Sequence, residues 1–149
     1  DNAAYCLSGF GAGFIVARLS SPGILQRFRG YKVVGGCLLV QTLGMLLIWL
    51  APSPALAIAG GALTGIGVSW VYPGLGVETL ASTPAANRNS ALSALSLFFD
   101  VAVGMAGPAM GLVASGFGFA AIFLGAALMS AGGFLVVLCL CWHKGRLRD

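Results

Sequence analysis

The chain has 149 residues, 58% of them hydrophobic and only 8% charged, with a mean hydropathy of +0.96 and a formal net charge of +4. A soluble domain carries roughly 25% charged residues, so this composition excludes a core wrapped in a polar surface and points to lipid as the solvent. The positive charge does not indicate a nucleic-acid partner, because the basic residues are split among three short polar stretches with no soluble domain to present them.

Five apolar segments follow one another, at 4–19, 33–51, 55–77, 90–115 and 120–142. Most are near the ~20 residues that cross ~30 Å of hydrocarbon at ~1.5 Å per residue. They are continuously apolar, whereas a transmembrane strand alternates its two faces over about ten positions, so the predicted fold class is all-α, a polytopic transmembrane helical bundle.

The first segment is short. It begins almost at residue 1 with no initiating Met, no basic leader and no small-residue cleavage site, and reads as the remainder of a span in a fragment of a longer chain. Gly9 and Gly13 within it form a small-xxx-small pair, as do Gly61 and Gly65 in the third segment and Gly107 and Gly111 in the fourth; such pairs let helix backbones approach closely in lipid. The connections SSPGILQRFRGYK, PSP, ASTPAANRN and GFGF are polar or carry Pro or Gly.

In the third segment Pro73 removes a backbone hydrogen bond and predicts a kink, and Glu78 stands at the inner end on a stripe with Gly60, Thr64, Gly67, Val71 and Gly74. The fourth contains Pro108 and one carboxylate, Asp100, about ten residues in and thus ~15 Å from the inner end. Ser93, Ser96, Asp100, Gly104, Gly107 and Gly111 recur at spacings of three or four, so one small, polar face is expected to point into the protein or a wet cavity. The fifth segment leads to a tail at 143–149.

Arg18, Arg27, Arg29, Lys32, Arg88, Lys144, Arg146 and Arg148 are all the basic residues of the chain. If the first segment runs inward, every one of them falls on the cytoplasmic side, and PSP and GFGF lie outside without Lys or Arg. Tyr5 and Trp49 then fall near outer ends, Tyr31 and Trp142 near inner ends.

The stretch from Arg18 to Lys32, RLSSPGILQRFRGYK, resembles the loop after the second helix of each half in the major facilitator superfamily, G-x-L-x-D-R-x-G-R-R/K. Arg27, Gly30 and Lys32 match; Gly30 is one place late, Pro22 stands near the leading Gly, and Gln26 replaces Asp. The stretches from Tyr72 to Glu78 and from Pro84 to Pro108 resemble helices 10 and 11 of efflux-type permeases in the same superfamily. The resemblance covers nearly the whole chain and implies helices 8 to 12 of a twelve-helix secondary transporter, whose two six-helix halves rock about a midplane site. It further implies a multi-pass protein of a bacterial inner membrane with a cytoplasmic C-terminus, a small solute and protons as partners besides the bilayer, and a first half of the same transporter outside this sequence.

A membrane enzyme is the competing class, and no Ser-His-Asp set, paired carboxylates or phosphate loop supports it. Cys139, Cys141 and His143 suggest a metal site, but two Cys one residue apart diverge by ~200° on a helix and no second cluster completes a shell, so neither metal nor cofactor is expected. A third class, a non-transporting scaffold or relict half, gains nothing from carboxylates in or near hydrocarbon, each costing ~2.5–3.5 kcal/mol at a helix centre. The expected site is therefore Asp100 with Ser96 and Ser93 for proton coupling or a cationic part of the substrate, set against a role in bonding a neighbouring helix. Glu78 is expected to pair with Arg27 or Arg88, near Lys32, in a cytoplasmic gate. Gly61, Gly65, Gly104, Gly107 and Gly111 are expected to pack helices, and Pro73 and Pro108 to bend them.

Overall fold

A segment crossing hydrocarbon finds no water for its backbone N–H and C=O groups, and a helix satisfies them internally. The computed structural model describes residues 2–20, 23 and 28–146, all of whose regular structure is helical. The helices are α1 (Asn2–Ser20), α2 (Gly30–Leu50), α3 (Pro54–Ser82), α4 (Arg88–Phe117) and α5 (Phe119–Arg146), with a 3-10 turn at Ala85–Asn87 before α4. Among the described residues α2, α3, α4 with its leading turn, and α5 are long and apolar enough to cross a membrane, while the apolar part of α1, Tyr5–Leu19, is shorter.

Local chemistry sets the boundaries. Pro54 opens α3 at a position whose N–H has no helical acceptor, and the Ala57 N–H closes the first turn on Ser53 O at 3.2 Å. Helix α3 then runs past its apolar segment to Ser82, because Glu78, Thr79 and Leu80 are compatible with a helix whatever their polarity. It ends at Thr83, extended at φ −115° and ψ 133° because Pro84 follows. Gly118 at φ +86°, a conformation that disfavours side chains, lets α4 fold back into α5, and its N–H caps Ala114 O at 2.9 Å.

Helix α3 is the centre of the bundle, packed by α1 and by α2; α5 covers another side of α2, and α4 lies against α5 and the edge of α3. Small residues make the two seams of α3. On the α1 side a Cβ at Gly65 would overlap Phe10 O and one at Gly13 would overlap Ala62 O, and a Cβ at Gly61 would stand 2.8 Å from Cys6 O. On the α2 side a Cβ at Gly44 would stand 2.5 Å from Thr64 Oγ1, one at Gly67 2.8 Å from Cys37 O, and one at Gly74 2.7 Å from Val34 Cγ2. Backbones this close gain dispersion contacts that lipid tails cannot match. The stripe of Gly60, Thr64, Gly67 and Gly74 is thus the buried face of α3 toward α2.

Polar side chains inside the spans bond their own helices. Thr42 donates to Leu38 O at 2.8 Å, Thr64 to Gly60 O at 2.9 Å and Thr79 to Leu75 O at 2.8 Å. Ser130 reaches from α5 to Leu38 O of α2 at 3.1 Å. Residues 6, 13 and 18 of α1 meet residues 61, 62 and 69 of α3 in ascending order, so these two helices are parallel; α2 runs antiparallel to both α3 and α5. The chain therefore alternates direction, and the ends near Arg18, Gly30, Ser82 and His143 share one end of the bundle.

Candidate functional site

Helix α4 carries the intramembrane carboxylate, about 18 Å along the helix from Arg88 at ~1.5 Å per residue. Its expected inward face is not covered by these five helices. Ser93, Asp100, Gly104, Gly107 and Gly111 are exposed and Ser96 is half-buried, and a Cβ at Gly104, Gly107 or Gly111 would find no atom within 4 Å. Among the described residues nothing bonds the Asp100 carboxylate. Of the two expected settings for Asp100, the interior of the protein or a wet cavity, these five helices supply no covering neighbour, and within them Gly104, Gly107 and Gly111 pack on no other helix. The reason lies in how α4 docks: it meets α5 where Met110 lies against Gly125, and α3 at one polar contact, leaving the small-residue face bare.

That polar contact fixes α4 beside the acid. The Tyr72 hydroxyl and Ser96 Oγ are 2.7 Å apart, and the Tyr72 ring stands edge-on to Phe99 at 5.0 Å and 61°. Asp100 follows Phe99 directly and lies one turn beyond Ser96. Ser96 was legible on the polar stripe, but Tyr72 was not singled out for this role; the signal available was a hydroxyl-bearing aromatic next to an intrahelical proline.

Pro73, the next residue, leaves the carbonyl four positions back, Ser69 O, without its usual helical donor. Arg18 Nη1 donates to that oxygen at 2.8 Å, and one residue away the Trp70 indole N–H donates to Ala17 O at 3.2 Å. The Arg18 guanidinium carbon also stands 5.9 Å from the Phe14 ring centroid and 6.0 Å from that of Trp70. Neither Arg18 nor Trp70 was among the candidate residues.

Of the four residues expected at the gate, Glu78, Lys32 and Arg88 are described. Glu78 is half-buried, and a Cβ on Gly30, the first residue of α2, would stand 3.1 Å from Glu78 N and 3.3 Å from Glu78 Cβ. The carboxylate-bearing residue is thereby set at a helix N-terminus, where the dipole favours negative charge. Lys32 is exposed two residues further along α2, about half a turn from that point, and Arg88 is exposed at the start of α4; Arg27 lies outside the described residues. A cavity of about 390 Å³ opens between α1, α2 and α3, lined by Phe28, Lys32, Val40, Ile66 and Trp70 among others. It contains none of Ser93, Ser96 and Asp100, and among the described lining residues Lys32 is the charged one. Cys139 is exposed and Cys141 half-buried, and among the described residues no group of three or more His, Cys, Asp or Glu is arranged to hold a metal ion.

A family model of the Major Facilitator Superfamily matches residues 2–148. The chain is 48% identical over 139 residues to an uncharacterized MFS-type transporter of Pseudomonas aeruginosa strain LESB58, covering 93% of this chain and 35% of that protein. It is 41% identical over 146 residues to an uncharacterized MFS-type transporter of Burkholderia mallei strain SAVP1, covering 98% of this chain and 36% of that protein. The chain thus spans about a third of the length of the curated relatives it matches. No solved structure matches.

Proposed function

The chain belongs to the major facilitator superfamily, and from that premise we propose that it forms part of the second half of a proton-coupled exporter of a small solute, working by alternating access. An integral, multi-pass protein of transporter kind follows from the family and the apolar helices. The coupling, the direction of transport, a bacterial inner membrane and a cytoplasmic C-terminus belong to the proposal.

One observation carries this reading: Asp100 is an intramembrane carboxylate on a small-residue face of α4 that these helices leave uncovered, in a chain a third as long as its relatives. The remaining two thirds of such a transporter supply the surface that meets this face, and the solute passes between them. Among the described residues no Lys, Arg or His pairs with Asp100; Arg18, which reaches a similar depth, is bound to Ser69 O of α3. A carboxylate in such a cleft favours its neutral form when the cleft is dry and its ionised form when water enters from one side. Opening the cleft alternately to the two sides then loads and releases a proton in step with the solute. Ser96 and Ser93, on the same face, line the path. Glu78, with Arg27, Lys32 and Arg88 around the inner loops, closes the cytoplasmic side.

The test is Asp100→Asn in the full-length transporter, reconstituted in vesicles with an imposed pH gradient and screened with a panel of small solutes against the unmodified protein. For a solute that the unmodified protein accumulates, the Asn variant is expected to lose gradient-driven accumulation and to keep exchange at equal pH. Accumulation at the unmodified level would return Asp100 to a packing role.

A further inference from the structure

The turn of α3 from Ser69 to Pro73 needs a donor that its own backbone cannot provide. Pro73 has no N–H, and Ser69, whose carbonyl that N–H would have served, is 1% exposed, so neither water nor a headgroup replaces it. Arg18 supplies the missing donor at 2.8 Å, a charge-assisted bond. The exchange is reciprocal. Ala17 O is among the last four carbonyls of α1, which have no partner within the helix, and the Trp70 indole N–H serves it at 3.2 Å. Each helix thus provides a donor that the other lacks, through adjacent residues on both sides, and the Phe14 and Trp70 rings hold the guanidinium between them at the edge of cation–π range.

We propose that Arg18 is a positioning residue for the proline break of α3: it stands in for the N–H of Pro73, locks α1 and α3 into one moving body, and thereby sets the helix turn that holds α4 beside Asp100. The link to α4 comes from the same turn, since Tyr72, between Ser69 and Pro73, bonds Ser96 at 2.7 Å and packs on Phe99. A helix broken by proline pivots where its ladder is interrupted. Here the interruption is bridged by a side chain of another helix, so α3 cannot swing at Pro73 without carrying α1. Lysine serves poorly in this place, because it offers a point charge without the planar fork that lies between two rings while donating to a carbonyl. The donor exchange stands without the proton-coupling reading; only its consequence for Asp100 rests on that reading.

A double-mutant cycle on the purified full-length transporter tests the exchange. Arg18→Gln is expected to lower the melting temperature by about 2–4 °C and to raise amide hydrogen exchange in peptides covering the end of α1 and residues 69–74. In the Pro73→Ala background the alanine N–H bonds Ser69 O directly, so the same Arg18→Gln change is expected to shift neither reading by more than a small part of that amount. Arg18→Lys should fall between Arg and Gln only where Pro73 is retained. Equal losses from Arg18→Gln with Pro73 retained and with Pro73→Ala in place would overturn the proposal. Should Arg18→Gln fail to fold with Pro73 present, recovery of a folded protein by the added Pro73→Ala is the expected result, and continued failure overturns it. Neither outcome depends on how Asp100→Asn behaves, so the two readings fail separately.

Discussion

Tyr72 shows how much of the candidate site hangs on single side chains. Its hydroxyl makes the 2.7 Å bond to Ser96, and its ring makes a separate contact with Phe99. Tyr72→Phe removes the first and keeps the second. Hydrogen bonds between transmembrane helices are worth about 0.6 kcal/mol on average and up to about 1.7, so a loss within that range is expected on unfolding in a denaturing-detergent titration. Ser96→Ala should cost the same, and the double variant no more than either single one, since both remove one bond. A double variant that loses the sum of the two would show that they act through different partners. Residue-scale features of this kind were the least legible in the sequence. Asp100 announces itself because a charge in hydrocarbon is costly wherever it stands, and Ser96 shares its stripe by simple helical spacing. The Tyr72–Ser96 and Arg18–Ser69 bonds join positions 24 and 51 residues apart, and no local periodicity encodes which helices become neighbours.

At the scale of the helices, small-residue spacing identified surfaces capable of close approach without telling which of them are used. Gly61 and Gly65 press on the backbone of α1, whereas Gly107 and Gly111, with the same spacing, meet nothing in these five helices. The difference arises because α3 is surrounded by α1 and α2 while α4 sits at the margin. Helix existence was legible from continuous apolarity, and the ends were read several residues short where, as in α3, the helix continues through Glu78 to the residue before Thr83 and Pro84. Valine substitutions separate the two kinds of glycine. Gly65→Val forces side-chain atoms into the Phe10 carbonyl and is expected to cost about 1–3 kcal/mol or more, as overpacking does. Under the proposal that its face lines a cleft, Gly107→Val in the full-length transporter is expected to leave stability within about 0.5 kcal/mol, as for a surface substitution. A thermal-shift comparison of the two variants decides this, and an equal loss at Gly107 would mean that another helix lies hard against α4 and that no cleft runs along it.

For the whole molecule the governing feature is the alternation of helix direction, with α1 parallel to α3 and α2 antiparallel to both α3 and α5. It gathers Arg29, Lys32 and Arg88 at one end, together with Glu78 against the start of α2, and leaves the Pro52–Pro54 turn at the other, while Arg18 reaches Ser69 about midway along α3. Loops rich in Lys and Arg stay on the cytoplasmic side, so a cysteine at residue 53 in a full-length, otherwise cysteine-free transporter should react with a membrane-impermeant thiol reagent added to intact cells. One at residue 88 should not. In inside-out vesicles the order reverses, and there residue 88 also reports the gate. The N-terminal end of α2 attracts the Glu78 charge, and basic side chains of the inner loops are its proposed partners, so Glu78→Gln removes an attraction that draws α2, α3 and the start of α4 together. An interfacial pair of this kind, half-buried on the Glu78 side, is worth about 1 kcal/mol, enough to shift a balanced inward–outward equilibrium by up to about fivefold, since 1.4 kcal/mol is tenfold. The expected result in Glu78→Gln is faster labelling at residue 88 in inside-out vesicles by up to that factor, with residue 53 correspondingly slower in intact cells. Unchanged rates at both positions would remove Glu78 from the gate, and labelling of residue 88 from outside intact cells would reverse the orientation of the bundle.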